Sequence, residues 1–517
     1  MKSKGLCRLI LASTVSALLL LLFPGSASAL STNDFFGIRV VDRETGRGVP
    51  LVELTTVNQM KLVTDSAGWA AFYEPGLMNE RVFFSVKSHG YEFPKDGFGS
   101  AGQAFETKPG GRVTVRINRV NLAERLYRVT GEGLYRDSVL LGESVPISEP
   151  LGSGKVAGQD SVFGEIYQGR IWWFWGDTAR MSYPLGHFWM ACATSELPGK
   201  GGLDPARGVN LRYLVDKDGF SRPVARLGVK QGPVWADGFL PLKDEAGKER
   251  LVCHFTHMES LHRMLGHGLA VFNDGRQEFE LIKWLEMADL WCYPAQAHPI
   301  RLVVNGEEFV CTGSVFPTVR VRANWRDWSD PSKYEGFTCL DSREPKTVLR
   351  GPDGKPRYRW EAGARPISGE GEQKLIESGQ LKPEEAHFLP LDVESGKPIL
   401  MHRGSVRWNE YRRRWILIAG QIGGTSNLGE IFYAEAEAPT GPWTRAKKIV
   451  THEKYSFYNP VHHPFFDEEG GRRIYFEGTY THTFSGNDSP TPRYDYNQVM
   501  YGLDVDKAAA GLRSSPN

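Results

Sequence analysis

The chain has 517 residues, 62 Lys and Arg against 61 Asp and Glu, and a net charge of +1 with His neutral. Such a balance gives no electrostatic footprint for nucleic acid or an anionic bilayer. With 41% apolar residues, 14 Trp and 19 Tyr, the composition excludes disorder as the main state and suits about two to four folded domains.

The N-terminus reads as a targeting segment. Lys2, Lys4 and Arg8 precede an apolar run from Leu9 to Phe23, and Ala27-Ser28-Ala29 supplies a small-residue cleavage site. Residues 1–29 are therefore expected to be a signal peptide, and the mature protein to be secreted or periplasmic. Cleavage removes three cations and no acids, leaving 59 basic against 61 acidic residues. No later run of about 18 apolar residues appears, so no membrane span is expected after cleavage.

Residues 33–119 predict a small β-sandwich. FGIRVVD, VPLVELTTV, KLVTD, WAAFYE, RVFFSVKSHGYEF and RVTVRINRV are apolar-rich runs separated by turn residues such as Glu44-Thr45-Gly46 and Ser66-Ala67-Gly68. The phrase D-x-x-T-G-x-G-V-P followed by T-D-S-x-G-x-A-x-F, from Asp42 to Phe72, resembles transthyretin-like or carboxypeptidase-regulatory-like domains. That resemblance implies turn-shaping roles for Asp65 and Gly68 and no chemistry. Residues 120–157 read as a connector with one or two strands.

From about residue 158 to 510 one pattern recurs five times: a short polar motif, an apolar strand, a turn, an aromatic-rich second strand ending in small polar or acidic residues, and a third strand. The second strands are RIWWFWGDT, ERLVCHFTHME, EFVCTGS, RRWILIAGQIGG and RRIYFEGTY. The turns Tyr167-Gln168-Gly169, Asn305-Gly306 and Glu469-Gly470-Gly471 supply residues that tolerate positive φ. Repeats of this period with about four strands each predict propeller blades. The expected fold is thus all-β, an N-terminal β-sandwich followed by a five-bladed β-propeller. Residues 331–400 break the rhythm. They read as an insertion with short helices near Gln373–Ser378 and Pro383–Ala386, lying either over the mouth of a site or on the solvated surface.

In a propeller the first strand of each blade lines the axis. The strand starts offer Asp160, Asp237, His298, Arg403, Arg407, Asn459, His462 and His463. The ends of the second strands offer Asp177, His257, Glu259, Gln421 and Glu477. Carboxyls gathered in one partly dehydrated funnel acquire divergent pKa values, and glycoside hydrolysis needs one protonated and one ionised carboxyl. Asp160, Asp177, Asp237 and Glu477 are the candidate catalytic residues. Glu477, in YFEGTY, combines an acid with apolar surroundings that raise a proton donor's pKa; the bland reading is a structural ion pair. Asp177 in Gly-Asp-Thr and Asp237 in Asp-Gly also suit turns. Candidate substrate-binding residues are Trp235, His257, His298, Arg403, Arg407, His462, Arg493 and Asp495, the last two in TPRYDYNQ, which serves equally to close the ring. Trp173, Trp175 and Tyr480 offer stacking faces, or simply blade packing. His254, His257, His262 and His267 lack zinc-site spacing, so no metal site is assigned. The mature cysteines, Cys192, Cys253, Cys292, Cys311 and Cys339, number five and contain no CxxC pair, which favours buried free thiols.

The segment GQDSVFGEIYQGRIWWFWGDT resembles the first blade of secreted five-bladed propeller glycosidases. It is similar to family 183 D-arabinanases and, more broadly, to family 43 and related arabinanase, xylosidase and levansucrase propellers. The resemblance implies a base or nucleophile at Asp160, a partner carboxylate at Asp177 and a polysaccharide or oligosaccharide substrate. It implies no required cofactor and admits Ca²⁺ near an axial His. It leaves the proton donor open between Glu477 and Asp237. Two rivals stand beside glycoside hydrolysis: a polysaccharide lyase on uronic-acid glycans, with Arg403, Arg407 or Arg493 neutralising the sugar carboxylate, and a non-catalytic glycan-binding protein.

Overall fold

Turn residues set the strand pairing that organises the chain. In the computed structural model, which describes residues 30–512 except Leu261 and Pro345, Gln168 and Gly169 adopt φ of 51° and 78°, and Asn305 and Gly306 adopt 53° and 82°. Those values fit the right-handed twist of a two-residue hairpin, so Phe163–Tyr167 folds back on Arg170–Trp175, and Ile300–Val304 on Glu307–Thr312. The described chain is dominated by strands, as the all-β reading expects, with only short helices between them. The signal-peptide reading falls on residues 1–29, outside the described residues.

The first unit is built from two four-stranded sheets. Phe36–Asp42, Trp69–Phe72, Tyr91–Glu92 and Arg112–Arg119 form one; Glu53–Thr56, Lys61–Val63, Arg81–Lys87 and Gly102–Glu106 form the other. Ile38 and Val40 from the first meet Leu54, Phe84 and Val86 from the second in one apolar core. Asp65 shapes a turn by accepting the N–H groups of Ala67 and Trp69 at 3.0 and 3.1 Å.

A three-stranded sheet of Val156–Gln159, Thr178–Arg180 and Tyr183–His187 and five larger antiparallel sheets follow. Sheet 1 comprises Phe163–Tyr167, Arg170–Trp175, Ala191–Ser195 and Arg212–Tyr213; sheet 2 comprises Val234–Lys243, Glu249–Ser260, Arg263–Asn273 and Glu278–Leu285. Sheet 3 holds Ile300–Val304, Glu307–Thr312, Val319–Arg322, Glu335–Thr338 and Arg359–Ala362. Sheet 4 holds Met401–Asn409, Arg414–Gln421, Ile431–Ala436 and Arg445–Val450, with Leu391–Asp392 added in parallel at its edge. Sheet 5 holds Ser456–His462, Arg473–Thr481 and Asn497–Asp504, and its fourth strand is Glu124–Arg128 from the other end of the chain.

Each of these five sheets shares a core with the next. Phe174 of sheet 1 stacks on Phe239 of sheet 2 at 4.3 Å between ring centroids. Leu240 and Leu242 meet Val310 and Val319 between sheets 2 and 3. Phe337 meets Leu417 and Phe432 between sheets 3 and 4, and Ile416 and Ile418 meet Phe457 and Phe476 between sheets 4 and 5. Tyr475 and Met500 of sheet 5 then pack with Trp173 and Trp175 of sheet 1. Both indoles are fully buried, so they are packing residues and not sugar platforms.

Two stretches divide differently from the sequence reading. The connector supplies sheet 5 with its outer strand. The stretch 331–400 is only partly an insertion, because two of its segments are strands of sheet 3. Its helix, Gly369–Glu377, starts at the cap Ser368, whose hydroxyl accepts the Gly371 N–H at 3.2 Å, and buries Leu375 between sheets 3 and 4. Glu372 on this helix is fully buried. It accepts bonds from Tyr358 Oη at 2.6 Å and from the N–H groups of His387 and Phe388 at 2.9 and 2.7 Å. A Glu372→Ala substitution strands all three donors and is expected to lower the unfolding free energy by about 2–4 kcal/mol. A reduced urea midpoint at unchanged slope checks this.

Cys192, Cys253, Cys292, Cys311 and Cys339 are free and buried. Among the described residues no helix is long and apolar enough to cross a membrane.

Candidate functional site

The starts of all five sheets meet at a cavity of about 320 Å³. Asp160, Ser161 and Asp177 enter it beside sheet 1, Trp235 and Asp237 from sheet 2, Gln296 ahead of sheet 3, His402 from sheet 4, and Tyr458 and Asn459 from sheet 5. Local backbone irregularity aims these side chains. The first strands of sheets 2, 4 and 5 each break register at the cavity, between Asp237 and Leu240, Met401 and Gly404, and Tyr458 and Val461. Ser161, Gly238, Gln296 and Asn459 adopt φ of 50°, 65°, 60° and 51°. Bulges of this kind redirect a side chain without ending the strand.

Asp160 and Asp177 form the centre. Asp160 Oδ1 accepts the backbone N–H of Asp177 at 3.1 Å, and Oδ2 accepts the Tyr458 hydroxyl at 2.8 Å. Burial pushes the Asp160 carboxyl up, while the hydroxyls of Tyr458 and Tyr496 and the Asp177 N–H hold it down. Asp177 has one side-chain donor, the Trp235 indole N–H at 2.9 Å from Oδ1. Burial, and then the charge of Asp160, push Asp177 up to about 7. The donors around Asp160 favour its anion, so the shared proton resides on Asp177. Asp237 is the third carboxyl. It accepts the Tyr293 hydroxyl, and burial pushes it up to about 6 against the pull of the Arg403 guanidinium. Arg403 donates through Nε to Gln296 Oε1 at 3.1 Å. His402 is pushed down to about 4 by burial and by Arg403, so it is neutral.

Gly176 explains the small residue in Gly-Asp-Thr. A Cβ at this position would lie 2.6 Å from Asp160 Oδ1. Gly176→Ala must displace the carboxylate, and turnover is expected to fall at least about tenfold with a small change in melting temperature. Steady-state kinetics beside thermal unfolding check it.

Other candidates from the sequence lie elsewhere. Glu477 is fully buried in the core between sheets 5 and 1, where His463 Nε2 lies 2.8 Å from its Oε1. A buried imidazole partner, and no place among the cavity residues, remove it from proton donation in this pocket. His462 is buried and bound to Asp467 at 2.7 Å. His257 bonds the Gln231 carbonyl at 2.8 Å. Arg493 pairs with Asp137 at 3.0 Å, and Asp495 accepts the Tyr455 hydroxyl and the His482 N–H at 2.7 Å each. These last two tie sheet 5 together and to the preceding segment. His298 packs on Phe163 at 5.4 Å below the cavity, and Arg407 faces a different one. None of residues 331–400 lines the aspartate cavity.

The axial histidines do not fit a Ca²⁺ site. Their Nε2 atoms are engaged by Asp467 and Glu477, whereas Ca²⁺ takes six to eight oxygens. Among the described residues no group of three or more His, Cys, Asp or Glu is placed to hold a metal.

No family model matches the chain, and no curated protein does. Solved structures similar to it include an exo-β-1,3-galactanase from Phanerochaete chrysosporium with β-1,3-galactotriose, at 11% identity and a TM-score of 0.33, over 68% of this chain and 63% of that one. A thermostable family-43 glycoside hydrolase matches at 11% identity and 0.31, over 67% and 88%. A family-43 enzyme from Xanthomonas citri, complexed with xylotriose, matches at 12% and 0.32, over 67% and 86%. At such identities and scores, the residues of the cavity have to carry the functional reading.

Sequence reasoning missed Tyr458, Tyr496, Tyr293, Gln296 and His402. For Tyr458 a signal existed: it stands directly before Asn459-Pro460, where a strand is liable to bulge. For Tyr293 and Tyr496 no local pattern separates a carboxylate-holding hydroxyl from a packed ring.

Proposed function

We propose that the chain is a secreted or periplasmic glycoside hydrolase, a five-bladed β-propeller behind a carboxypeptidase-regulatory-like β-sandwich, that cleaves a polysaccharide or oligosaccharide. The observation that carries this reading is the Asp160–Asp177 pair, two carboxyls of unequal hydrogen bonding in one cavity. Asp177, whose pKa burial and the charge of Asp160 raise to about 7, gives its proton to the glycosidic oxygen as the C–O bond breaks. Asp160, ionised and held by Tyr458 and Tyr496, either attacks the anomeric carbon or takes a proton from the attacking water. Asp237 keeps a third carboxyl against the pocket, where its interaction with Arg403 tunes the local field. Trp235, Phe484 and Met190 give the cavity apolar walls against which the C–H face of a sugar packs. Asn459 donates to Ser161 Oγ at 2.8 Å, which holds both side chains in the cavity wall.

A lyase needs a free guanidinium and a free base in the pocket. Arg407 and Arg493 lie elsewhere and the Tyr458 hydroxyl is committed to Asp160, which leaves a lyase only the Nη groups of Arg403 and the neutral His402, whereas the paired carboxyls are what hydrolysis uses, so hydrolysis is the reading adopted. The deciding experiment measures reducing ends released from a panel of arabinan, galactan and xylan by wild type and Asp160→Asn. Release by wild type and none by the folded variant is expected. Products absorbing in the ultraviolet as unsaturated sugars would support the lyase, and glycan binding without any release would support a non-catalytic protein.

A further inference from the structure

The first strands of sheets 1 to 4, with Pro464 and Phe465 just past the first strand of sheet 5, line a second cavity, of about 490 Å³, farther along their length. Where Asp160 and Ser161 face the aspartate pocket, Gly164 and Glu165 face this one; sheet 4 contributes His402 to the first and Arg407 and Trp408 to the second. Phe163, buried and packed on His298, lies between these segments. The two cavities are therefore separate spaces, and the second takes no part in the chemistry above.

Its contents have a definite chemistry. Trp408 and Trp415 are a cross-strand pair with ring centroids 5.7 Å apart, and Trp408 is 39% exposed. Ile166, Pro299 and Phe465 extend the apolar wall. Glu165 and Arg407 supply the polar groups. Arg407 commits Nη1 to the carbonyls of His298 and Pro299 at 3.0 and 2.9 Å, so Nε and Nη2 bond nothing among the described residues. Glu165 makes no hydrogen bond among them either; burial pushes it up to about 7, and Arg407 and Arg301 draw it down. An unsatisfied acceptor and an unsatisfied donor fork, set in an apolar wall with a half-open indole, match a ligand that has vicinal hydroxyls on its edge and C–H groups on its face. An apolar peptide or lipid chain would leave both charged groups desolvated and unpaired.

We propose that this cavity is a second glycan-binding site, which holds a neutral sugar residue of a polysaccharide through the Trp408 indole, with Glu165 and Arg407 on its hydroxyls. The choice of ligand rests on the glycosidase reading of the first cavity, but the binding site stands apart from its chemistry. The test is affinity electrophoresis of the full-length protein through gels containing arabinan, galactan or xylan, with wild type, Asp160→Asn, Trp408→Ala and Glu165→Gln, each checked for folding by near-ultraviolet circular dichroism. At least one polysaccharide is expected to retard wild type and Asp160→Asn alike. Trp408→Ala should weaken retention about tenfold and Glu165→Gln severalfold, while both keep wild-type turnover on a short chromogenic glycoside. Glu165→Gln keeps the side-chain volume, so its loss of retention cannot come from collapse of the wall. No retardation by any gel, or full retention in both Trp408→Ala and Glu165→Gln, overturns the site. Retention that depends on Trp408 in a protein releasing no reducing ends would sink the hydrolase reading and leave the site standing.

Discussion

Asp160→Asn is expected to lower the proposed glycan cleavage by at least about a thousandfold in a protein that still folds. The amide keeps the volume of the carboxylate; its Oδ1 can still accept the Asp177 N–H, and its Nδ2 can donate to the Tyr458 hydroxyl oxygen, so the pocket retains its shape. What it loses is the anion that serves as base or nucleophile, a role that supplies factors of this size. Asp177→Asn loses activity for the opposite reason, since it has no proton to give. The two variants separate by pH. In wild type Asp177 titrates near 7, so the rate should fall as pH rises through 7. In Asp160→Asn the neighbouring charge is gone, Asp177 moves down, and the basic limb of any residual rate moves with it. Stability falls in the same direction. A carboxyl whose folded pKa stands at about 7, above its ordinary 3.8, favours the fold while protonated, and that contribution is lost progressively as pH rises from about 4 to about 7. At pH 8 the ionised pair strains the fold, and Asp177→Asn should be more stable than wild type by on the order of 2 kcal/mol. At pH 4 the difference should vanish. Melting temperatures at the two pH values, beside reducing-sugar assays, decide it. An Asp160→Asn variant with wild-type activity would remove the pair from the chemistry altogether.

The sequence displayed its strands because their turns are chemically explicit: Gln168-Gly169 and Asn305-Gly306 sit where positive φ is required, and the runs between them alternate or bury as strands do. Asp160 and Asp177 were legible for a related reason, since a polar motif before a strand and Gly-Asp-Thr after its partner bring both to one end of a hairpin. Glu477 was misread because burial alone does not say what fills the other side. Apolar neighbours announced a desolvated carboxyl, but its imidazole partner, His463, is set by the register of Ser456–His462 on Arg473–Thr481 within sheet 5. Gln296 and His402 were invisible because bulges and left-handed residues aim them, and these depend on tertiary fit more than on residue type. The stretch 331–400 misled through its Gly, Pro and charge content. Glu335–Thr338 and Arg359–Ala362 are strands nonetheless, since the outer strands of a sheet can be polar on one side.

The second large effect is expected at the strand where the ends of the chain meet. Glu124–Arg128 pairs with Asn497–Asp504, and the Val129 N–H reaches the Gln498 carbonyl at 2.8 Å. Tyr127 is its main anchor. The ring is buried in the core with Trp173, Trp175, Tyr475 and Met500, and its hydroxyl donates to the Pro205 carbonyl at 2.7 Å. Arg125, also buried, donates to the carbonyls of Pro50 and His89 at 3.1 and 3.0 Å and so joins the first unit to the same strand. Tyr127→Ala removes the ring, leaves a cavity and unpairs a carbonyl, at a cost of about 3–5 kcal/mol. Tyr127→Phe, which removes only the hydroxyl, should cost about 1 kcal/mol. Because this strand covers the otherwise open edge of Asn497–Asp504, its loosening exposes unpaired backbone beside the core that joins sheets 5 and 1. Tyr458 comes from sheet 5, and Asp160 stands just ahead of sheet 1. The urea midpoint for Tyr127→Ala should therefore fall together with the midpoint for loss of activity, in one transition. If activity survives to wild-type urea concentrations while circular dichroism reports early loss of strand, closure by Glu124–Arg128 is not what holds the two halves of the aspartate cavity together.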